Sequence, residues 1–213
     1  MARNLIRHPS HSATTEPTVR PRFRLDGSQR FLAICGLLLI ASGLFHGIVL
    51  LVTGGSLDGP LSWRKPMLFG LSFGITAFTI AFVAQALRLR KTVSWVLLGS
   101  LGVASVVETA FITMQTWRGV PSHFNFATSF DAAVFNVMGI IVSIVAVALL
   151  VLTIMSFTSM RAIPSGMKLA IRMGMVLLMV GQVLGGLIIA TGVEPAITGN
   201  DAAVFGPHGV VAG

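Results

Sequence analysis

The chain has 213 residues, of which 54% are hydrophobic and 10% charged, against about 25% charged in an ordinary soluble domain, so it cannot cover a water-facing surface. A net charge of +8 would suggest nucleic acid in a soluble protein. Here six of the fifteen basic residues fall in the first thirty positions and most others border apolar segments, which reads as a membrane-topology signal rather than a nucleic-acid footprint.

Residues 1–30 hold six arginines and three prolines with no periodic apolar stripe. They predict a basic, disordered cytoplasmic tail, held near anionic headgroups by Arg20, Arg22, Arg24 and Arg30. Five long apolar segments follow, over residues 31–53, 66–87, 93–115, 132–155 and 169–191. Each is long enough to span a bilayer as a helix that satisfies its own backbone hydrogen bonds. The first is too long for a cleaved signal, and "TGGSLDG" beyond it is a poor cleavage site, so it reads as a retained anchor. Pro66 fits the first helical position of the second. Cys35, the single cysteine, leaves no internal disulfide or cysteine-cluster metal site and reads as a small packing residue. The fold class is therefore all-α: a polytopic transmembrane bundle of about five spans over residues 31–191, followed by a short extracytoplasmic tail, 192–213.

Short connections such as "RLRKT" and "TSMRAIPSG" make successive helices antiparallel neighbours. Small residues recur four apart at Gly43 and Gly47, Gly70 and Gly74, Gly139 and Ser143, and Gly181 and Gly185. Such pairs let backbones approach within lipid, and a homo-oligomeric contact or a ligand cleft is the alternative use. No internal repeat is evident, and five spans break the symmetry of an inverted-repeat transporter. With the N-terminus inside, twelve basic residues fall on the cytoplasmic side and only Arg64, Lys65 and Arg118 on the other, which predicts a C-terminus outside.

That topology gathers polar residues toward the outer side. His46 and Glu108 each lie about seven residues, roughly 10 Å, below the expected outer ends of the first and third spans. Asn136 enters the same layer and Gln182 approaches it from deeper. The outer connections add Trp63, Trp117, Asn125, Arg64, Lys65, Arg118, His123 and Asp131, and the last segment adds Glu194, Asp201 and His208. Arg172 is close enough to the inner surface to snorkel. An isolated carboxylate at the depth of Glu108 must be protonated, paired or wet. Ser100, Ala104 and Glu108 share one small face, and Ser42, Gly43, His46 and Gly47 another, so a His46–Glu108 contact is expected.

That pair admits a structural role and three chemical ones. It can shuttle a proton or act as a general acid and base. It can share Zn, Fe or Mn with His123 or Asp131. Alternatively, His46 and His123 can ligate a haem whose propionates meet Arg64, Lys65 or Arg118. The sequence selects no cofactor or metal among these. In "WRGVPSHFNF", Gly119 and Pro121 punctuate a turn, Trp117, Phe124 and Phe126 suit the bilayer interface, and Arg118 and His123 suit an anionic headgroup or substrate. Phosphate-loop, nucleotide-binding, nucleophile-elbow and zinc-protease patterns are missing.

"WRKPMLFGLSFG", residues 63–74, and "TWRGVPSHFNF", residues 116–126, resemble stretches of uncharacterised bacterial multi-pass membrane proteins. The resemblance covers most of residues 30–200 and implies a bacterial inner-membrane protein, with no activity attached. The resemblance implies that related chains continue into further hydrophobic, histidine-bearing segments, so residues 201–213 are expected to be an incomplete terminus. The leading expectation is an outward-facing polar pocket that moves a proton or a small or lipid-derived solute, with membrane lipids as partners and no nucleic acid. The alternatives are a membrane-bound enzyme or redox protein, and an accessory subunit of a larger complex. A reporter active only in the periplasm, fused after residue 200, is expected to give signal. Signal from a cytoplasm-only reporter at that position reverses the topology.

Overall fold

The computed structural model describes residues 24–54, 57, 59–206 and 209. The expected basic tail, including Arg20 and Arg22, lies almost wholly outside them, as does His208. The order is α1 (Gly27–Thr53), α2 (Arg64–Val83) closed by a 3-10 turn (Ala84–Ala86), α3 (Lys91–Trp117), α4 (Ser129–Thr158), α5 (Ser165–Ile197) and a short α6 (Asp201–Phe205). Five of these helices are long and apolar enough to cross a membrane. Among the described residues there is no strand, only an isolated bridge between Leu87 and Met160. The chain is an all-α bundle of integral membrane type.

The helices run up and down between two ends. At the proximal end, α1 opens at Gly27, ahead of the expected span, because Asp26 caps it. The Asp26 carboxylate accepts from Gln29 N, and Gln29 Oε1 accepts from Asp26 N, a reciprocal pair that satisfies two helix-start donors. Ser28 and Ser94 share a 2.7 Å hydrogen bond that ties α1 to the start of α3. Arg161 donates to the Leu87 carbonyl. Arg172 donates to the Ser156 and Phe157 carbonyls at 3.0 and 3.3 Å, and so caps α4 from α5. Arg172 thus covers orphan carbonyls with the arm that was expected only to snorkel.

Contact between α1 and α2 is the most extensive in the bundle, and glycine makes it so. A Cβ on Gly70 would stand 2.8 Å from Gly43 Cα, and one on Gly36 would stand 2.8 Å from the Gly74 carbonyl oxygen. The backbones therefore touch, with dispersion in place of the absent hydrophobic drive. The expected Gly43 and the Gly70–Gly74 pair both serve this seam, Gly36 joins them unforeseen, and Gly47 meets only the Met67 side chain. Gly139, Gly181 and Gly185 depart from expectation, since a Cβ on any of them meets nothing within 4 Å. Ser143 is exposed as well.

α3 lies at the centre, touching α1, α2 and α4. Its buried positions, Leu97, Leu98, Leu101, Ala104, Ser105, Glu108, Ile112 and Gln115, recur every three or four residues and so face inward on one side. α5 differs: of its 33 residues only Met175 and Gly192 are buried, and its main partner is α4. α6 folds back at the distal end, where Val204 packs with Phe124 and Phe135.

Close backbone contact makes the seam intolerant of volume. Gly70→Ala is expected to lower unfolding stability in detergent by about 1–3 kcal/mol through overpacking. Gly181→Ala is expected to be neutral or to raise it by up to about 1 kcal/mol through helix propensity. Denaturant titration of both variants measures the contrast, and equal effects would show that the seam does not hold the pair.

Candidate functional site

The distal end, where α1 finishes and α2 begins, carries most of the expected polar residues, but they separate into three groups. The first is built on Asp131, in the opening turn of α4. Thr128 caps that helix: its hydroxyl accepts from Asp131 N at 3.1 Å and donates to Asp131 Oδ2 at 2.7 Å. Asp131 Oδ1 accepts from Gln115 Nε2 at 3.0 Å and from Arg118 Nη1 at 2.6 Å. Arg118 also donates to Gln115 Oε1 and lies 4.8 Å over the Phe130 ring. Asp131 is buried, Gln115 wholly so, and both carboxylate oxygens of Asp131 accept hydrogen bonds. This cluster fastens the end of α3 to the start of α4. Arg118 and Asp131 are brought together as the sequence led one to expect, but on each other.

α3 ends beside this cluster in a Schellman turn. Gly119 has φ +69°, its N–H meets the Thr116 carbonyl, and Val120 N–H meets the Gln115 carbonyl. The chain then passes through Phe124, whose φ of +57° is unusual for a residue with a side chain. Its ring is clamped against Phe135, centroid to centroid 5.3 Å, under Val204. Asn125 donates to the Pro121 carbonyl and accepts from Ala127 N, which fixes the rest of the loop.

The second group surrounds His46, which is buried. Trp117 Nε1–H donates to His46 Nε2 at 3.2 Å, so the ring hydrogen is on Nδ1 and points to the Ser42 carbonyl at 2.8 Å. Trp63 stacks on the imidazole at 6.1 Å and meets Trp117 at 4.7 Å between centroids. Both ring nitrogens are engaged, which replaces the expected His46–Glu108 contact and leaves no lone pair for an iron or zinc ion. His123 stands apart, against Phe69, Phe124 and Phe135. Among the described residues, no three of His, Cys, Asp and Glu are grouped to hold a metal ion.

The third group is Glu108 with Lys65 and His123. Glu108 is buried in the middle layer of the bundle, nine residues or about 14 Å from the end of α3. Its Oε2 has no hydrogen-bond partner. The cation that acts on it is Lys65, from the first turn of α2, which acts through space without a direct ion pair. Lys65 also acts on His123. The His123 imidazole is held well below its ordinary pKa, first by burial and then by the Lys65 charge, while its Nδ1 lies 3.1 Å from the Ser122 hydroxyl.

Three other candidates fall elsewhere. Arg64 opens α2 with its N–H on the Ser62 hydroxyl. Asn136 lies on the exposed face of α4 and so leaves the polar layer in which it was expected. Gln182 lines a separate cleft with Ser72 and Thr76. Of the last segment, Glu194 and Asp201 are exposed. Two residues central to the site, Gln115 and Thr128, were not anticipated. The spacing Thr128-x-x-Asp131 is a helix-start signature, and Gln115 lies three residues before Arg118 on the same helix face, so both signals were present.

No protein-family model matches the chain, and no curated protein or solved structure matches it either.

The depressed His123 pKa has a consequence for stability. The unfolded chain takes up a proton near pH 6.5, while the folded one does so only at lower pH. The unfolded state thus binds more protons in that window, and stability is lost as pH falls below about 6.5, by up to about 1.4 kcal/mol per pH unit. The wild-type melting temperature in detergent is expected to fall between pH 7.5 and 5 more steeply than that of His123→Leu. Parallel curves would remove His123 as a cause.

Proposed function

We propose that this chain is a bacterial inner-membrane protein that binds and releases protons at Glu108, coupled to movement of a small or lipid-derived solute through its distal end. The supporting observation is the buried Glu108 Oε2 without a hydrogen-bond partner, with Lys65 as the ionisable neighbour that acts on it. A carboxylate in that setting costs several kcal/mol unless it is neutralised by a proton or balanced by a cation. The carboxyl can meet that cost in two ways, with a proton on Glu108 or with its charge set against Lys65. A purely structural carboxylate looks like Asp131, where each oxygen is filled. The distal end is taken as extracytoplasmic on the bias of basic residues, which puts Glu108 within reach of protons from outside.

An accessory-subunit reading is favoured by one different observation, the bareness of α5, a helix that buries only two of its 33 residues within the bundle.

Proteoliposomes with an imposed pH gradient and an internal pH-sensitive dye test the first reading. Flux above protein-free vesicles is expected, reduced at least tenfold by Glu108→Gln and by Lys65→Met, with Asn136→Ala unchanged. Variants that keep their gel-filtration profile but conduct as the wild type does would remove Glu108 from the path. Absence of flux together with stoichiometric recovery of a partner protein would favour the accessory reading.

A further inference from the structure

Half-way along the bundle, a cleft of about 230 Å³ opens between α2 and α5. Its inner wall is apolar and closed: Leu101 of α3 and Val145 and Leu149 of α4 are each 1% exposed. Its rims are polar, with Ser72 and Thr76 on α2 and Gln182 on α5. Thr76 lies twelve residues from the start of α2, and Gln182 seventeen residues from the start of α5 and fifteen from its end. Both are near the mid-depth of their spans, far from either aqueous surface.

Hydrogen bonding there is unbalanced. Ser72 returns its hydroxyl proton to the Leu68 carbonyl at 2.7 Å. The other Thr, Ser and Asn side chains of the bundle mostly do likewise, onto carbonyls of their own segment. Thr76 and Gln182 make no side-chain hydrogen bond among the described residues. An amide offers two donor hydrogens and an acceptor oxygen, and leaving it unpaired in hydrocarbon costs several kcal/mol. Water is not at hand at mid-depth, so the groups that complete this site come from within the bilayer. No ionisable residue lines the cleft, and an ionic headgroup would find no counter-charge. Gly181 forms part of the rim, and a Cβ there meets nothing within 4 Å, so the mouth is open at the helix surface.

We infer that this cleft binds an uncharged lipid through a carbonyl or hydroxyl group, which Gln182 and Thr76 hydrogen-bond while the apolar body lies against Leu101, Val145 and Leu149. The volume accommodates a ring or a glycerol ester and no more, which leaves the chains of the ligand along the exposed surface of α5. Acylglycerols and isoprenoid quinones share this chemistry. The site is separate from Glu108 and does not depend on proton movement there.

Photolabelling in nanodiscs tests it with two probes in parallel, a diazirine diacylglycerol and an azido-benzoquinone with a decyl tail. Saturable labelling of peptides that contain residues 72–76 or 177–182 by either probe is the expected result, and the probe that labels at lower concentration identifies the source. Thr76→Val combined with Gln182→Leu keeps the volume, removes the hydrogen bonds, and is expected to reduce labelling at least fivefold with an unchanged gel-filtration profile. Two results would overturn the inference: no saturable labelling by either probe, or equal labelling of the double variant. Should the double variant fail to fold, Gly181→Phe, which obstructs the mouth without meeting an existing atom at Cβ, takes its place with the same fivefold criterion.

Discussion

Everything in this bundle is arranged against the contact of two backbones. Helices inside a bilayer gain little from apolar burial, because lipid is as apolar as leucine, so they cohere where atoms fit closely. Gly36 and Gly43 of α1 and Gly70 and Gly74 of α2 provide that fit along one seam. The seam makes a flat two-helix wall, and α3 packs on it with Gly102 against Cys35 and Leu32. α4 and then α5 add outward from α3, each with less buried surface than the last. Stability should therefore be graded across the bundle, greatest at α1 and α2 and least at α5.

Two buried carboxylates in the same half of the molecule show opposite solutions to one problem. Asp131 sits where a helix start, an arginine, a glutamine and a threonine converge, and its charge is fully spent. Glu108 sits one layer deeper with an oxygen that nothing donates to. The difference follows from position: Asp131 lies on a helix end, where free backbone donors and loop side chains are available. Mid-helix, the backbone of α3 is already engaged and only side chains from α1, α2 and α4 can help. The one charge that acts on it from them is that of Lys65. Asp131 thus reads as a fastening, and Glu108 as the group with chemistry left in it.

The existence, number and approximate limits of the five helices were legible because apolar length is a strong signal. The proximal cap at Asp26 and the turn at Gly119 were also written in local residue types. Partner choice was not. His46 and Glu108 lie at matching depths, but depth leaves the rotation of each helix about its axis undetermined, and rotation is what put Trp117 in place of Glu108 beside the imidazole. The same ambiguity sent Asn136 outward and left Gln182 on the rim of a separate cleft. Small-residue pairs were equally blind, since four-residue spacing occurs both on the tight seam and on the bare face of α5. What separates them is the complementary glycine on the facing helix, a property of two segments rather than one.

The clamp on Phe124 has a bearing on how the protein is made. The loop that holds His123 is synthesised about eighty residues before Val204, yet Val204 is the cover that closes over Phe124 and Phe135. Until the chain has threaded its fifth span and α6 has folded back, the left-handed conformation at Phe124 lacks its full support. The α1–α2 seam, by contrast, is complete once its own two segments are in the bilayer, so membrane insertion builds this molecule from its scaffold toward its distal loop. The His123 loop consequently matures later than the seam, and a nascent chain arrested before Val204 would leave it unfinished.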